Sequence, residues 1–475
     1  MNRKRFAAAI VSVLLGLSSS GALHAAEGHA GASLGEKLPL ASVIPFLALL
    51  LSIALLPLAA GHWWERNRNK ALLAALLALP LAIYMAAAFG EAGMHELLHK
   101  LSEYASFIAL LAALYVISGG IFVQGSLSGT PLVNTGLLAF GGVIASFVGT
   151  TGASVLLIRP LLRANATRRR KSHVVVFFIF IVSNCGGLLT PLGDPPLFLG
   201  FLDGVPFNWT FQLWKNWALV NGLLLVIFHV WDQVVLDKEE KERPGSQLEE
   251  VMMHEPMRVF GLHNLLFLAG VVAVIYAAGQ GLGTSGGRWP GGIQEALLVV
   301  LAGASFFTTA KSIHQNNRFN FSPIIEVAIL FAGIFVTMSP ALLILNANGA
   351  KLGVDQPWEF FWASGLLSSF LDNAPTYLTF AATACGLNGI STAEPGYLAK
   401  FLALPADAHA HELLAAISCG SVFMGANTYI GNGPNFMVKA IAEENGVQMP
   451  SFFGYMQLAA CVLIPIFILV TFVSF

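Results

Sequence analysis

Apolar and polar positions along this chain separate into long blocks rather than alternating with a strand or one-sided helix period. Uncharged runs extend over Leu38–Gly61, Tyr104–Ile158, Leu413–Val438 and Asn445–Phe475. None offers the polar face that a helix in water requires. Runs of about 20 apolar residues match the hydrocarbon thickness of a bilayer. The pattern predicts an all-α polytopic membrane protein with about ten transmembrane helices. Their spans lie near 38–60, 71–90, 104–123, 173–201, 217–235, 261–279, 293–310, 321–345, 411–437 and 453–474.

Composition narrows the class. Of 475 residues, 56% are hydrophobic and 11% charged, against roughly 25% charged in soluble domains. That excludes a soluble enzyme. The net charge of −1 and the lack of a basic domain exclude a nucleic-acid partner. Cys185, Cys385, Cys419 and Cys461 fall in or beside apolar runs without CxxC spacing, so they read as small buried hydrophobes.

Basic residues set the sidedness. Asn2-Arg-Lys-Arg-Phe6, the apolar Ala7–Leu17 and the small residues up to Ala25-Ala26 form the tripartite pattern of a signal peptide, 1–26, in a bacterial inner-membrane protein. Starting outside, 16 basic residues fall in inner loops and 6 in outer ones, as the positive-inside rule demands. The inner set includes Lys70, Arg163, Arg168, Arg169, Arg170, Arg318 and Lys439; the outer set is Lys37, Lys100, Lys215, Arg288, Lys351 and Lys400. Both mature termini are then periplasmic. His173 and His263 fall at cytoplasmic membrane edges as interfacial residues.

Two stretches do not read as simple spans. Tyr104–Ile158 is 55 residues long and is interrupted at Gly125–Pro131. A single crossing plus a re-entrant hairpin at 132–163, tip Val148–Ser154, keeps Arg163 and Arg168–Lys171 inside. A second candidate hairpin covers 358–385, with its tip at Leu371-Asp-Asn-Ala-Pro-Thr376. Each precedes a span broken by Gly, Pro and polar residues, at 173–201 and 411–437; the shared core is Pro191-Leu-Gly-Asp-Pro-Pro and Tyr429-Ile-Gly-Asn-Gly-Pro. Paired interruptions of this kind point to inverted repeats around a midplane site. The organisation expected is N-terminal helices at 27–103, repeat 1 at 104–236, a cytoplasmic linker at 237–260, connecting helices at 261–320 and repeat 2 at 321–475.

Pro and Gly free backbone carbonyls at membrane depth, and these, with Asn and Thr side chains, can replace a cation's hydration shell. A carboxylate there costs about 2.5 kcal/mol or more, which makes it a functional candidate. Asp194 and Asp372 are the two acids so placed, as binders of Na+ or H+. Asn184, Thr190, Asn373, Thr376, Asn427, Thr428, Asn432 and Asn435 supply oxygen ligands, and Thr150, Thr151 and Ser154 line the substrate side. Glu326, near the cytoplasmic end of its span, divides between function and snorkelling.

At these motifs the chain resembles the Ion Transporter superfamily of secondary carriers. It is similar to the NhaD-type Na+/H+ antiporters and to the citrate-transporter branch beside them. The features are Asn184-Cys-Gly-Gly with Gly193-Asp-Pro-Pro, then Leu371-Asp-Asn-Ala-Pro-Thr with Asn427-Thr and Gly431-Asn-Gly-Pro-Asn435, over roughly 100 to 475. The resemblance implies two re-entrant hairpins, two broken helices, a scaffold that often forms a homodimer, and elevator-like alternating access. Antiporters of that branch carry an Asp-Asn pair in the first tip, where this chain has Gly149-Thr150-Thr151. A hydroxyl-rich tip suits a carboxylate, as in dicarboxylate and citrate carriers. The expected function is a sodium/proton antiporter of the inner membrane, with cation-coupled citrate or carboxylate transport as the alternative. No cofactor is expected beyond the coupling ion.

One motif points elsewhere. His95-Glu-Leu-Leu-His99 matches the H-E-x-x-H of zinc proteases, and Leu202-Asp203-Gly204 resembles the second motif of intramembrane metalloproteases. Its charged surroundings, Glu91–Glu103, read instead as an amphipathic helix outside the membrane.

Overall fold

The computed structural model describes residues 31–64, 66–126, 128–245, 255–282, 289–317, 319–348, 353–392 and 396–475. The expected signal peptide and the loop charges Arg288, Arg318 and Lys351 lie outside the described residues. Helices α1 (Gly31–Lys37), α2 (Ile44–Ala59), α3 (Gly61–Trp64) and α4 (Asn67–Gly119) open the chain. A strand β1 (Phe122–Ser126) leads to α5 (Pro131–Val148), α6 (Thr150–Ala164), α7 (Ser172–Ile181), α8 (Pro195–Leu202) and α9 (Trp214–Glu242). Strand β2 (Glu255–Phe260) precedes α10 (Asn264–Gly279), α11 (Ile293–Thr308) and α12 (Lys311–Asn316). The last third contains α13 (Ser322–Asn348), α14 (Pro357–Ser368), α15 (Asn373–Leu387), α16 (Tyr397–Leu402), α17 (Ala410–Met424), α18 (Gly433–Glu444) and α19 (Phe452–Ser474).

The chain is an all-α polytopic membrane protein. Among the described residues, seven helical segments have the length and apolarity to cross a bilayer: Leu40–Pro57, Asn67–Gly119, Pro131–Val148, Ser172–Leu189, Phe207–Glu242, Ser322–Asn348 and Phe452–Ser474. The apolar α10 and α11 are shorter. Two packing groups follow from the contacts. α4 packs along α13, α11, α10 and α2, while α5–α9 and α14–α19 pack among themselves. The groups meet where α15 lies on α13 and where α6 and α8 lie on α4.

Helix α4 departs from the expected pair of spans with an outer segment between. Its two halves join at Gly90, whose φ of 56° and ψ of −128° only glycine adopts readily. The following segment packs inside out. Glu96, Lys100 and Glu103, spaced to share one face, are buried, while Met94, Leu98 and Leu101 are exposed. Ser339 of α13 donates to Glu96 at 3.2 Å, and Lys100 bonds both Glu103 oxygens at 3.0 and 2.9 Å. The segment is amphipathic as expected, but Glu96, Lys100 and Glu103 of its charged face turn toward protein, while Glu91 and His95 stay exposed.

Two further polar residues near membrane edges have protein partners. His173, read as interfacial, is buried, with Nε2 2.8 Å from Asp232 Oδ1. Glu326 is ion-paired to the buried Lys70 at 2.6 Å, which gives it a structural partner. The linker adds an element too short to show a period in sequence. β1 and β2 pair antiparallel, Phe122 opposite Phe260 and Val123 opposite Val259, with an irregularity between Gln124 and Ser126. Arg163 at the end of α6 donates to the carbonyls of Val123 at 2.7 Å and Gly125 at 3.1 Å, which fixes the ribbon against the helix pair.

Candidate functional site

The site is assembled from two interrupted helices. α7 ends at Ile181, the chain tightens through Cys185–Leu189, and a turn closed by the Gly193 N–H on the Thr190 carbonyl at 3.0 Å carries it to Asp194 before α8. α17 ends at Met424, passes Gly425–Asn427 and reaches Asn432 before α18. The backbones match: Asp194 has φ −144° and ψ 144°, Asn432 φ −152° and ψ 139°. Thr190 has φ −138° and ψ 158°, Thr428 φ −137° and ψ 165°.

Each break is stitched to a helix–turn–helix pair by equivalent bonds. The pairs are α5–α6, turning at Gly149, and α14–α15, turning at 369–372. Thr190 Oγ1 donates to the Ser146 carbonyl, and Thr428 Oγ1 to that of Ser369. Ser146 Oγ donates to the Gly186 carbonyl at 2.5 Å, and Ser368 Oγ to that of Ser421 at 2.7 Å. Trp217 Nε1 of α9 donates to the Gly186 carbonyl at 3.0 Å, and Tyr455 Oη of α19 to that of Ala426 at 2.8 Å. These bonds satisfy carbonyls that the breaks release in a dry environment.

Gly193 shows how tightly the first break is drawn. A Cβ there would lie 2.0 Å from the Gly187 carbonyl oxygen, backbone that cannot move aside alone. Gly193→Ala is expected to lower unfolding stability by about 1–3 kcal/mol, the cost of overpacking, read as a shifted denaturation midpoint in detergent. Gly433→Ala, where a Cβ meets nothing within 4 Å, is its control and should leave the midpoint in place.

Asp194 is the centre of the site. Its side chain is 1% exposed. Oδ1 accepts from Thr150 Oγ1 at 2.9 Å and Asn432 Nδ2 at 3.4 Å, and Oδ2 accepts from Asn373 Nδ2. It occupies the N-cap position of α8 without making a side-chain cap bond. Pro195 and Pro196, the first two helical residues, have no N–H to offer. The carboxylate is thereby left to the site. Among the described residues no basic side chain is ion-paired with it.

The amides make a second layer. Asn184 Nδ2 donates to Asn435 Oδ1 at 2.7 Å, and Asn184 Oδ1 accepts from Asn432 at 3.2 Å. Asn435 Nδ2 bonds the carbonyls of Gly425 and Thr428 at 2.8 and 2.9 Å. Asn373 turns its amino group to Asp194, which leaves its buried Oδ1 without a hydrogen-bond partner among the described residues. A carboxylate beside an unsatisfied amide oxygen is a donor set for a small hard cation.

The remaining candidates divide. Ser154 Oγ is 2.8 Å from Ser183 Oγ, and Thr151 lines the cavity below. Asn427 donates to Ser369 Oγ at 2.9 Å, with its buried Oδ1 unpartnered. Thr376 Oγ1 bonds the Asp372 carbonyl within its own helix at 2.9 Å. Asp372 itself caps α15, accepting from the Ala374 N–H at 3.1 Å, and no hydrogen bond joins it to Asp194. Sequence reasoning passed over Ser146, Ser183, Ser368 and Ser369. Their signal was position, since Ser146 and the Ser368-Ser369 pair each lie just before a helix-pair turn.

A cavity reaches Asp194 between the two packing groups. One wall is Phe107, Leu110, Leu114 and Tyr115 of α4 with Pro323 and Val327 of α13; the other is Gly149–Gly152 and Pro191–Pro195. Among the described residues no Lys or Arg lines it. His95 of the HELLH motif is exposed, and among the described residues no group of three His, Cys, Asp or Glu comes together to hold a metal.

A family model described as "Putative citrate transport" matches residues 35–475. No curated protein matches the chain.

Proposed function

The chain belongs to this citrate-transport family, and from that premise we propose that it is a secondary active carrier whose coupling ion, Na+ or H+, is taken at Asp194. The observation that carries the reading is the buried Asp194 carboxylate, served among the described residues by the neutral donors Thr150, Asn373 and Asn432. A carboxylate without a fixed cationic partner favours a mobile one. The matched bonds of the two breaks support reading 104–236 and 321–475 as inverted repeats, with the helix pairs as re-entrant hairpins. In this reading α4 and α13 are the static wall, and access alternates as the other group moves against them in the inner membrane.

Sodium/proton exchange is the transport mode the site supports best. The cavity lining has hydroxyls and one acid but no basic side chain to neutralise a polyanion. Carboxylate symport is the second reading, favoured by the family match and by Thr150 and Thr151. Proteoliposomes separate them. Proton efflux driven by Na+ without citrate identifies exchange, and Na+-dependent accumulation of labelled citrate identifies symport. Neither response, at any gradient, would remove both.

A further inference from the structure

Asp203 closes the short helix α8 at the end opposite Asp194, and the transport reading leaves it unused. The separation is roughly 14 Å by helical rise. The residue lies in the turn after α8 and is 3% exposed. Its Oδ2 accepts from the Tyr397 hydroxyl at 3.0 Å, and its carbonyl accepts from the Leu398 N–H at 3.0 Å, so α16 folds over it.

Across from this corner stands the inside-out face of α4. Asp203 is within electrostatic range of Glu103, Lys100 and His99 from that helix, and of Tyr377 and Cys385 from α15. The cations are already committed. Lys100 bonds both oxygens of Glu103, and His99 Nδ1 lies 3.0 Å from the same carboxylate. Glu96 adds a further negative charge near Lys100. Asp203 therefore has one neutral hydroxyl donor, and burial together with the Glu103 carboxylate outweighs the opposing pull of Lys100 and His99. A buried carboxyl in that position is neutralised by a proton more cheaply than it is held ionised.

The two sides of this junction belong to different packing groups. α4 packs with α11 and α13, whereas α8 and α16 pack with α15 and α17. We propose that Asp203 is a second proton-binding site, separate from Asp194, whose occupancy governs docking of the α8–α16 corner on α4. The inference rests on the alternating-access reading for its mechanical consequence, since separation of the groups would return Asp203 to water. Burial, then the Glu103 carboxylate, hold the Asp203 carboxyl well above the usual carboxylate range. The sign follows. A group that binds its proton more tightly when docked stabilises docking at low pH, and loses that contribution as pH rises through its raised value.

Hydrogen exchange across a pH series tests this on the purified full chain in nanodiscs, without requiring transport. After correction for the intrinsic rate, amides of residues 203–205 and of Leu398 should lose protection as pH rises through neutrality. Asp203→Asn should keep those amides protected at every pH. Tyr397→Phe removes a donor to the ionised form and should move the transition to higher pH, with about tenfold in the protonation constant for each unit. Identical profiles in wild type and Asp203→Asn, or an unmoved transition in Tyr397→Phe, would overturn the proposal. Unchanged flux in Asp194→Asn would instead remove the coupling-ion assignment, so the two failures are distinguishable.

Discussion

Asp194→Asn is expected to lower coupled transport by about 10- to 150-fold, the equivalent of 1.5–3 kcal/mol for a hydrogen bond to a charged group. The amide keeps the volume and can still accept from Thr150. Its new amino group faces the amino group of Asn373, which can rotate to present the unpartnered Oδ1 instead. The packing therefore survives while the charge is lost. Removing an unpaired buried charge relieves desolvation, so the melting temperature should stay level or rise as flux falls. Ion-driven flux in proteoliposomes, measured beside a thermal melt, checks both. Full flux in the variant would sink the assignment of the coupling ion to Asp194. Asp372→Asn is the comparison: Asn caps a helix about as well as Asp, and flux there should change by no more than a few-fold.

Asp232→Asn should be the most destabilising single change outside the site. Arg168 is buried, with Nη1 2.5 Å from Asp232 Oδ1, Nε 3.5 Å from Glu239 and Nη2 without a partner. Asp232 also accepts from Asn134 at 3.0 Å and meets His173 at 2.8 Å. Glu239 accepts the backbone N–H groups of Arg169 and Arg170 at 2.8 and 2.9 Å. This cluster ties the loop between α6 and α7 to α9. Breaking one side of such a pair leaves a buried charge and costs about 3–5 kcal/mol, whereas apolar replacement of both is often neutral. Denaturant unfolding should therefore show Asp232→Asn far below wild type, and the double variant Arg168→Met with Asp232→Leu between the two. A double variant weaker than the single one would contradict this account.

The same two clusters show how far the sequence could be read. The blocks of apolar residues identify a polytopic helical membrane protein because a bilayer allows few ways to satisfy a spanning backbone. The breaks are visible as Gly, Pro, Asn and Thr in otherwise apolar runs, since those residues alone interrupt a helix there without a large cost. What the pattern cannot show is direction. Glu96, Lys100 and Glu103 read as a solvated face and are buried, because hydropathy counts charges without knowing whether water or protein lies opposite. His173, placed at a membrane edge by the same reading, is likewise buried, against Asp232. The strand pair β1–β2 joins segments well over a hundred residues apart, beyond any local period.

Two acids stood equal in the sequence, each beside an Asn or a Pro in an interrupted apolar run. Local chemistry determined that Asp194 and Asp372 were candidates and that Asn and Thr would accompany them. Only the tertiary structure distinguishes their surroundings. Asp372 turns back to its own helix, while Asp194 makes no side-chain cap bond, the N–H of Leu197 going to its carbonyl, and takes its donors from residues 44, 179 and 238 positions away. Those partners are set by the packing of one break against the other, and no spacing along the chain encodes them.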